Sequence, residues 1–196
     1  MMKIARYIII SVLLLGSQRA YAGNVAIDGI ATASSEYYDP ITGIYKTASL
    51  AIDGDPLTNW SADGISYGWL KIELNNSYLI STIVLKSLHL PVYYGHTMDY
   101  NLYSSLDDID WDLIGSGTII DTPQDWFDMW HVNGKNMRYI KYEVIPNHNP
   151  TAHWAHLYEI EVYPVPEPST CFLFGFSLLG AGLIKRRAST CRSSKV

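Results

Sequence analysis

Trp69-Leu70-Lys71-Ile72-Glu73-Leu74 reads as a half-buried β-strand. Side chains alternate across an extended backbone, so Leu70, Ile72 and Leu74 share one face while Lys71 and Glu73 share the other. Tyr158-Glu159-Ile160-Glu161-Val162 repeats the arrangement near the far end of the same region. Residues 24–33, 79–88, 98–104, 111–115, 126–132 and 138–145 are further strand candidates, rich in Val, Ile, Tyr and Trp and separated by Gly, Pro, Asn and Asp. No long segment carries a helical period. About eight strands in one region predict an all-β fold, an eight-stranded antiparallel β-sandwich of jelly-roll type.

The two ends of the 196-residue chain are of another kind. Lys3 and Arg6 precede an apolar run at 8–15, and Ala20-Tyr21-Ala22 supplies small residues at the spacing a signal peptidase reads. Residues 1–22 are therefore expected to be a secretory signal peptide cleaved between Ala22 and Gly23. The domain is expected to occupy 23–163. Pro164-Val165-Pro166-Glu167-Pro168 closes it, because proline cannot donate to a ladder and holds the chain extended. Residues 171–184 then carry no charge and lead into Lys185-Arg186-Arg187. As a helix that run would measure about 21 Å against a hydrocarbon core of about 30 Å, short for a permanent anchor.

The formal net charge of −5 averages these unlike parts. All nineteen Asp and Glu lie between Asp28 and Glu167, with only six Lys or Arg among them, which leaves −13 on the domain segment. Such a surface repels a polyanionic backbone and offers no basic stripe, so nucleic acid is excluded as a partner. Cys171 and Cys191 both fall in the tail, so the fold is expected to rest on its core, to which six Trp and fifteen Tyr contribute, and not on disulfides.

Two resemblances follow. Pro166-Glu167-Pro168, the apolar run and the basic cluster together resemble the PEP-CTERM sorting signal of Gram-negative bacteria that make exopolysaccharide. The resemblance implies an exosortase as a maturation partner, transient inner-membrane contact through the tail at 164–196, and delivery to the cell surface or extracellular matrix. Nine residues follow Arg187, where such tails commonly stop. Within the domain, Asn24-Val25-Ala26, Ala31-Thr32-Ala33-Ser34-Ser35, Ala51-Ile52-Asp53-Gly54-Asp55 and Thr58-Asn59-Trp60 resemble the opening of a discoidin, or F5/8 type C, domain of galactose-binding-like fold. The strand at Trp69, the stretch 100–105 with Asp107 and Trp111, Arg138-Tyr139-Ile140-Lys141 and Glu159-Ile160-Glu161-Val162 follow in the family's order. Asp108 stands where a turn glycine is usual, and the cysteine pair of many animal members is missing. The second departure points to the bacterial, carbohydrate-binding branch.

Asp53-Gly54-Asp55-Pro56-Leu57-Thr58 places two carboxylates, a hydroxyl and turned carbonyls within six residues, and calcium takes six to eight oxygens. The resemblance implies a structural calcium site built from Leu50, Asp53, Asp55, Thr58, Tyr158 through its carbonyl and Glu159 through its carboxylate. The same two aspartates also suit a turn they merely brace. The resemblance also implies that the loops at 36–47, 88–97 and 146–154 gather at one end of the sandwich and hold the ligand, with Tyr38, Tyr94, His96, Asn147, Asn149 and Trp154 as the candidates. Sugar C–H faces stack on aromatic rings, while amides and imidazoles bond hydroxyls. Some of these rings equally suit sealing the mouth of the sandwich.

Catalytic chemistry finds little footing. His148, His153 and His156 lack metalloprotease spacing on a helix, and neither a Gly-x-Ser-x-Gly elbow nor a phosphate loop is present. Asp107-Asp108-Ile109-Asp110 falls at an expected hairpin turn in open solvent, where nothing raises a carboxyl pKa as a glycosidase acid requires. The expectation is an exported non-catalytic module that binds a glycan or exopolysaccharide. A structural matrix protein without a specific glycan, or a small secreted hydrolase, are the alternatives.

Overall fold

The alternation at residues 70–74 is realised as the first half of a strand that runs from Gly68 to Ser87. The computed structural model describes residues 23–63, 67–87, 97–120, 126–145 and 155–166. Its strands in chain order are β1 (Ile30–Ala33), β2 (Tyr37–Asp39), β3 (Ile44–Lys46), β4 (Trp60–Ser61), β5 (Gly68–Ser87), β6 (Thr97–Ser105), β7 (Asp112–Ile120), β8 (Trp126–Ile145), β9 (His156–Leu157) and β10 (Glu159–Pro164). One 3-10 turn at Ala48–Ala51 is the only helical element among the described residues.

Six strands pair antiparallel in the order β1-β5-β8-β6-β7, with β10 also on β5. β2 pairs with β3, and β4 with β9, as separate small sheets. The expected eight segments become ten strands because two expected gaps do not exist and four short strands were not foreseen. Asn75-Asn76-Ser77 reads as a turn, yet β5 passes straight through it. The Ser77 amide bonds to Asn76 Oδ1 at 2.9 Å, and the Tyr78 hydroxyl to Asn75 Oδ1 at 2.6 Å. Register shifts between Glu73 and Tyr78, and again between Ile80 and Thr82, absorb the extra residues. Inward parity therefore switches from Leu70, Ile72 and Leu74 to Ile83 and Leu85. β8 crosses an equivalent break at Asn133 and Gly134, whose φ values of 52° and 73° are left-handed.

Each long strand thus serves two regions. The N-terminal half of β5 and the C-terminal half of β8 pair beside β6, while their other halves pair beside β10. Leu70, Ile72, Leu74, Tyr100, Leu102, Ile140, Tyr142 and Val144 from the first region meet Ile83, Leu85, Ile160 and Val162 from the second in one core. Trp60 is fully buried in it, and its Nε1 donates to the Ser35 carbonyl at 3.0 Å.

The compact unit spans Ala22–Val165. Asn24 fastens its beginning, since its Oδ1 accepts from the amides of Ala26 and Val162 at 3.0 and 2.8 Å. Residues 24–29 are turned here, not extended as expected, and β1 begins only at Ile30. At the other end the Val165 amide donates to the Leu79 carbonyl at 2.7 Å, and Pro166 beyond it is exposed.

Candidate functional site

The turn after the 3-10 element gathers oxygen atoms around a single hydroxyl. Thr58 Oγ1 lies 2.9 and 3.0 Å from the two Asp53 carboxylate oxygens, 3.1 Å from the Asp55 carbonyl and 3.3 Å from the Leu50 carbonyl. A hydroxyl has one proton to give, so most of these acceptors are not satisfied by it. Gly54, at φ 80°, sits where a side chain would be strained, and its amide donates to Glu159 Oε1 at 2.8 Å. That contact joins residues far apart in sequence, the turn and the first residue of β10.

Glu159 is 1% exposed, and among the described residues its second oxygen, Oε2, has no hydrogen-bond partner. Burial, with the Asp53 carboxylate beside it, pushes the Glu159 carboxyl up to about 7. Among the described residues no three His, Cys, Asp or Glu side chains stand together as a metal centre, but carboxylates joined by carbonyl and hydroxyl oxygens are a donor set that a hard divalent cation takes. Leu50, Asp53, Asp55, Thr58 and Glu159 are therefore brought together. Tyr158 is buried beside Glu159, with its amide bonded to the Lys86 carbonyl at 3.0 Å. Turn bracing operates as well, because Asp53 Oδ1 accepts from the Asp55 amide and Asp55 Oδ1 from the Leu57 amide, both at 2.9 Å. Asp55 thus offers its carbonyl to the cluster while its carboxylate caps the turn.

The first expected ligand loop is not a loop but the β2–β3 hairpin. Tyr38 stands opposite Tyr45, with ring centroids 4.8 Å apart. Asp39 braces the tip, accepting from the Thr42 hydroxyl at 2.7 Å and the Ile41 amide at 2.9 Å, which holds its carboxyl below the usual range. Glu36 fixes the base by accepting from the Ala48 amide at 2.9 Å. Tyr38 and Tyr45 are 45% and 59% exposed, and Ile41 at the tip is 94% exposed. Tyr45 completes a pair that the sequence alone does not single out, because cross-strand partnership appears only once the register is known. Tyr94, His96, Asn147, Asn149 and Trp154 lie outside the described residues, as do Ala22, Glu167 and Pro168. Gly23 is exposed at the start of the described chain.

With the oxygen-lined turn, Trp60 and the β5–β10 framework in place, residues 30–160 match the F5/8 type C domain. The chain belongs to that family. Residues 164–187 match the PEP-CTERM protein-sorting motif, which marks an exported protein. The F5/8 type C domain fold recurs in solved structures. A carbohydrate-binding module from Clostridium perfringens, in complex with GalNAc-β-1,3-galactose, is 22% identical at a TM-score of 0.56, over 71% of this chain and 99% of its own. A family 32 carbohydrate-binding module from the same organism, in complex with galactose, is 20% identical at 0.56, over 72% and 98%. The C-terminal domain of a Bacteroides fragilis chitobiase is 21% identical at 0.60, over 73% and 97%. No curated protein matches the chain.

Proposed function

We propose that this F5/8 type C domain is a non-catalytic carbohydrate-binding module, carried to the cell surface or matrix by its tail and stiffened by a structural calcium ion. The observation that carries the reading is the exposed Tyr38–Tyr45 pair on a hairpin braced at tip and base. Rigid, solvent-facing rings suit the C–H faces of sugars, and they lose little freedom on binding. The solved modules of this fold that hold galactose and GalNAc-β-1,3-galactose support the ligand class. Leu50, Asp53, Asp55, Thr58 and Glu159 would hold calcium, with Tyr158 adding its carbonyl. The ion would supply the positive charge their oxygens lack.

A glycan array on the exported protein, run with calcium and with chelator, tests the reading. Calorimetric titration of the best hit should then show binding weakened by about 1–2 kcal/mol in Tyr45→Ala, Tyr94→Ala and Trp154→Ala, the scale of single aromatic contacts, with melting nearly unchanged. Densely anionic polymers should bind poorly to a domain segment carrying −13. Three variants that bind as tightly as wild type would remove these rings from the site.

Sorting has its own readout. Among the described residues Val165 is the last one bonded into the fold, and Pro166, the first residue of the motif, is exposed. Intact mass of surface material should show a protein that starts near Gly23 and lacks residues 171–196. Retention of that tail in most molecules would make it an anchor instead.

A further inference from the structure

On the outer side of the sheet, a second cluster stands apart from both the hairpin and the oxygen-lined turn. Lys71 on β5 is in direct register with Lys141 on β8, and Lys141 with Tyr103 on β6. Their chain neighbours Leu70, Tyr142 and Leu102 are buried, so the row Lys71–Lys141–Tyr103 faces outward across three strands. Two like charges directly opposite on adjacent strands are unfavourable. They are also unusual here, where six cations face nineteen carboxylates.

The β6–β7 turn folds back over this row. Asp108 reaches Lys71 at 2.6 Å and adopts φ 66°, a left-handed conformation that explains why glycine is usual at this position. Ser105 Oγ accepts from the Asp108 amide at 3.0 Å, and Asp107 caps the amides of Ile109 and Asp110 at 2.9 Å, so the turn is fixed. Trp111 at its end and Tyr103 beneath flank the Lys141 ammonium, with ring centroids 5.0 and 4.8 Å away. Among the described residues no carboxylate lies within salt-bridge distance of Lys141. Asn101 donates to the Tyr103 hydroxyl at 3.1 Å and accepts from Ser116 at 2.6 Å, and Glu143 stands in register with it in the next row, beyond salt-bridge distance of the ammonium.

We propose that Lys141, Lys71 and Trp111 form a second binding site, which takes the carboxylate of an acidic sugar unit within an otherwise sparsely charged glycan. A carboxylate at Lys141 relieves the lysine–lysine repulsion, while Trp111, Tyr103 and Asn101 offer ring and amide contacts to the sugar around it. The domain's overall negative charge keeps densely charged polymers away, so the site selects isolated acidic units.

Calorimetric titration of the exported protein with methyl galacturonoside, which carries a single carboxylate, and with its methyl ester tests this. The acid should bind about tenfold more tightly than the ester, the scale of one charge-assisted contact. Lys141→Gln should bring that ratio near one. Asp108→Asn keeps a residue that tolerates the left-handed turn and removes the competing carboxylate, so it should tighten acid binding and leave the ester unchanged. A loss caused by damaged folding cannot produce that gain, so Asp108→Asn decides the matter even if Lys141→Gln unfolds. Equal binding of acid and ester by wild type, a ratio that survives Lys141→Gln in folded protein, or no tightening in Asp108→Asn would overturn the proposal. So would loss of the ratio in Tyr45→Ala, which would assign the acid to the hairpin.

Discussion

Metal-stripped protein should melt at a lower temperature than protein in millimolar calcium, and Asp53→Ala should melt alike in both. An ion that binds only the folded turn adds RT ln(1 + [L]/Kd) to stability, about 4 kcal/mol at a thousand times Kd. Glu159→Gln should separate the two contributions of that side chain. The buried Oε2 has no partner among the described residues, so an ionised carboxylate there is a cost that a neutral amide reduces. In chelator Glu159→Gln should therefore melt at or above wild type, whereas in calcium it should melt below. Thermal unfolding by circular dichroism, with and without chelator, reads both. Superimposable wild-type curves in the two buffers would leave the cluster a braced turn only.

Trp60→Ala should lose about 3–5 kcal/mol, the usual cost of emptying a large aromatic site in a core. Trp60 is fully buried, its short strand pairs Trp60 with Leu157, and its Nε1 satisfies the Ser35 carbonyl. Alanine leaves both a cavity and an unpaired acceptor. Trp60→Phe fills most of the volume and loses chiefly the hydrogen bond, so its cost should fall to about 1–2 kcal/mol. Against a total stability of about 5–15 kcal/mol, the alanine variant stands close to unfolding at growth temperature. Urea denaturation in calcium-containing buffer measures the two differences, and equal values would place Trp60 outside the stabilising core.

The sequence carries the core face of β5 plainly at Leu70, Ile72 and Leu74, because alternation is a local property. It does not carry the parity change at Ile83 and Leu85, which arises from bulges set by pairing with β8. Asn75-Asn76-Ser77 and Asn133-Gly134 have the composition of turns, and only the pairing shows that the strands continue through them. The oxygen-lined turn is visible at Asp53, Asp55 and Thr58, which are close in the chain. Glu159 joins it through the resemblance alone, since no local rule links a residue in β10 to Gly54. Tyr38 falls within a stretch that reads as a ligand loop, and it lies in a hairpin because Asp39 and Thr42 close its tip. The Lys71–Lys141 juxtaposition depends wholly on register, which strand periodicity does not determine.

The way β10 leaves the fold bears on how the protein carries mechanical load. β10 lies antiparallel along β5 from Glu159 to Pro164, and the Val165 amide adds a bond to the Leu79 carbonyl at its end. Tension drawn along the tail in the strand direction pulls β10 lengthwise against β5, so its rungs share the strain instead of parting one after another. The opposite end of the same strand is held by Glu159 to the Gly54 turn, and its flank by the Asn24 clip at Val162. Force entering from the tail therefore meets a strand held along β5, at the Gly54 turn and at the Asn24 clip.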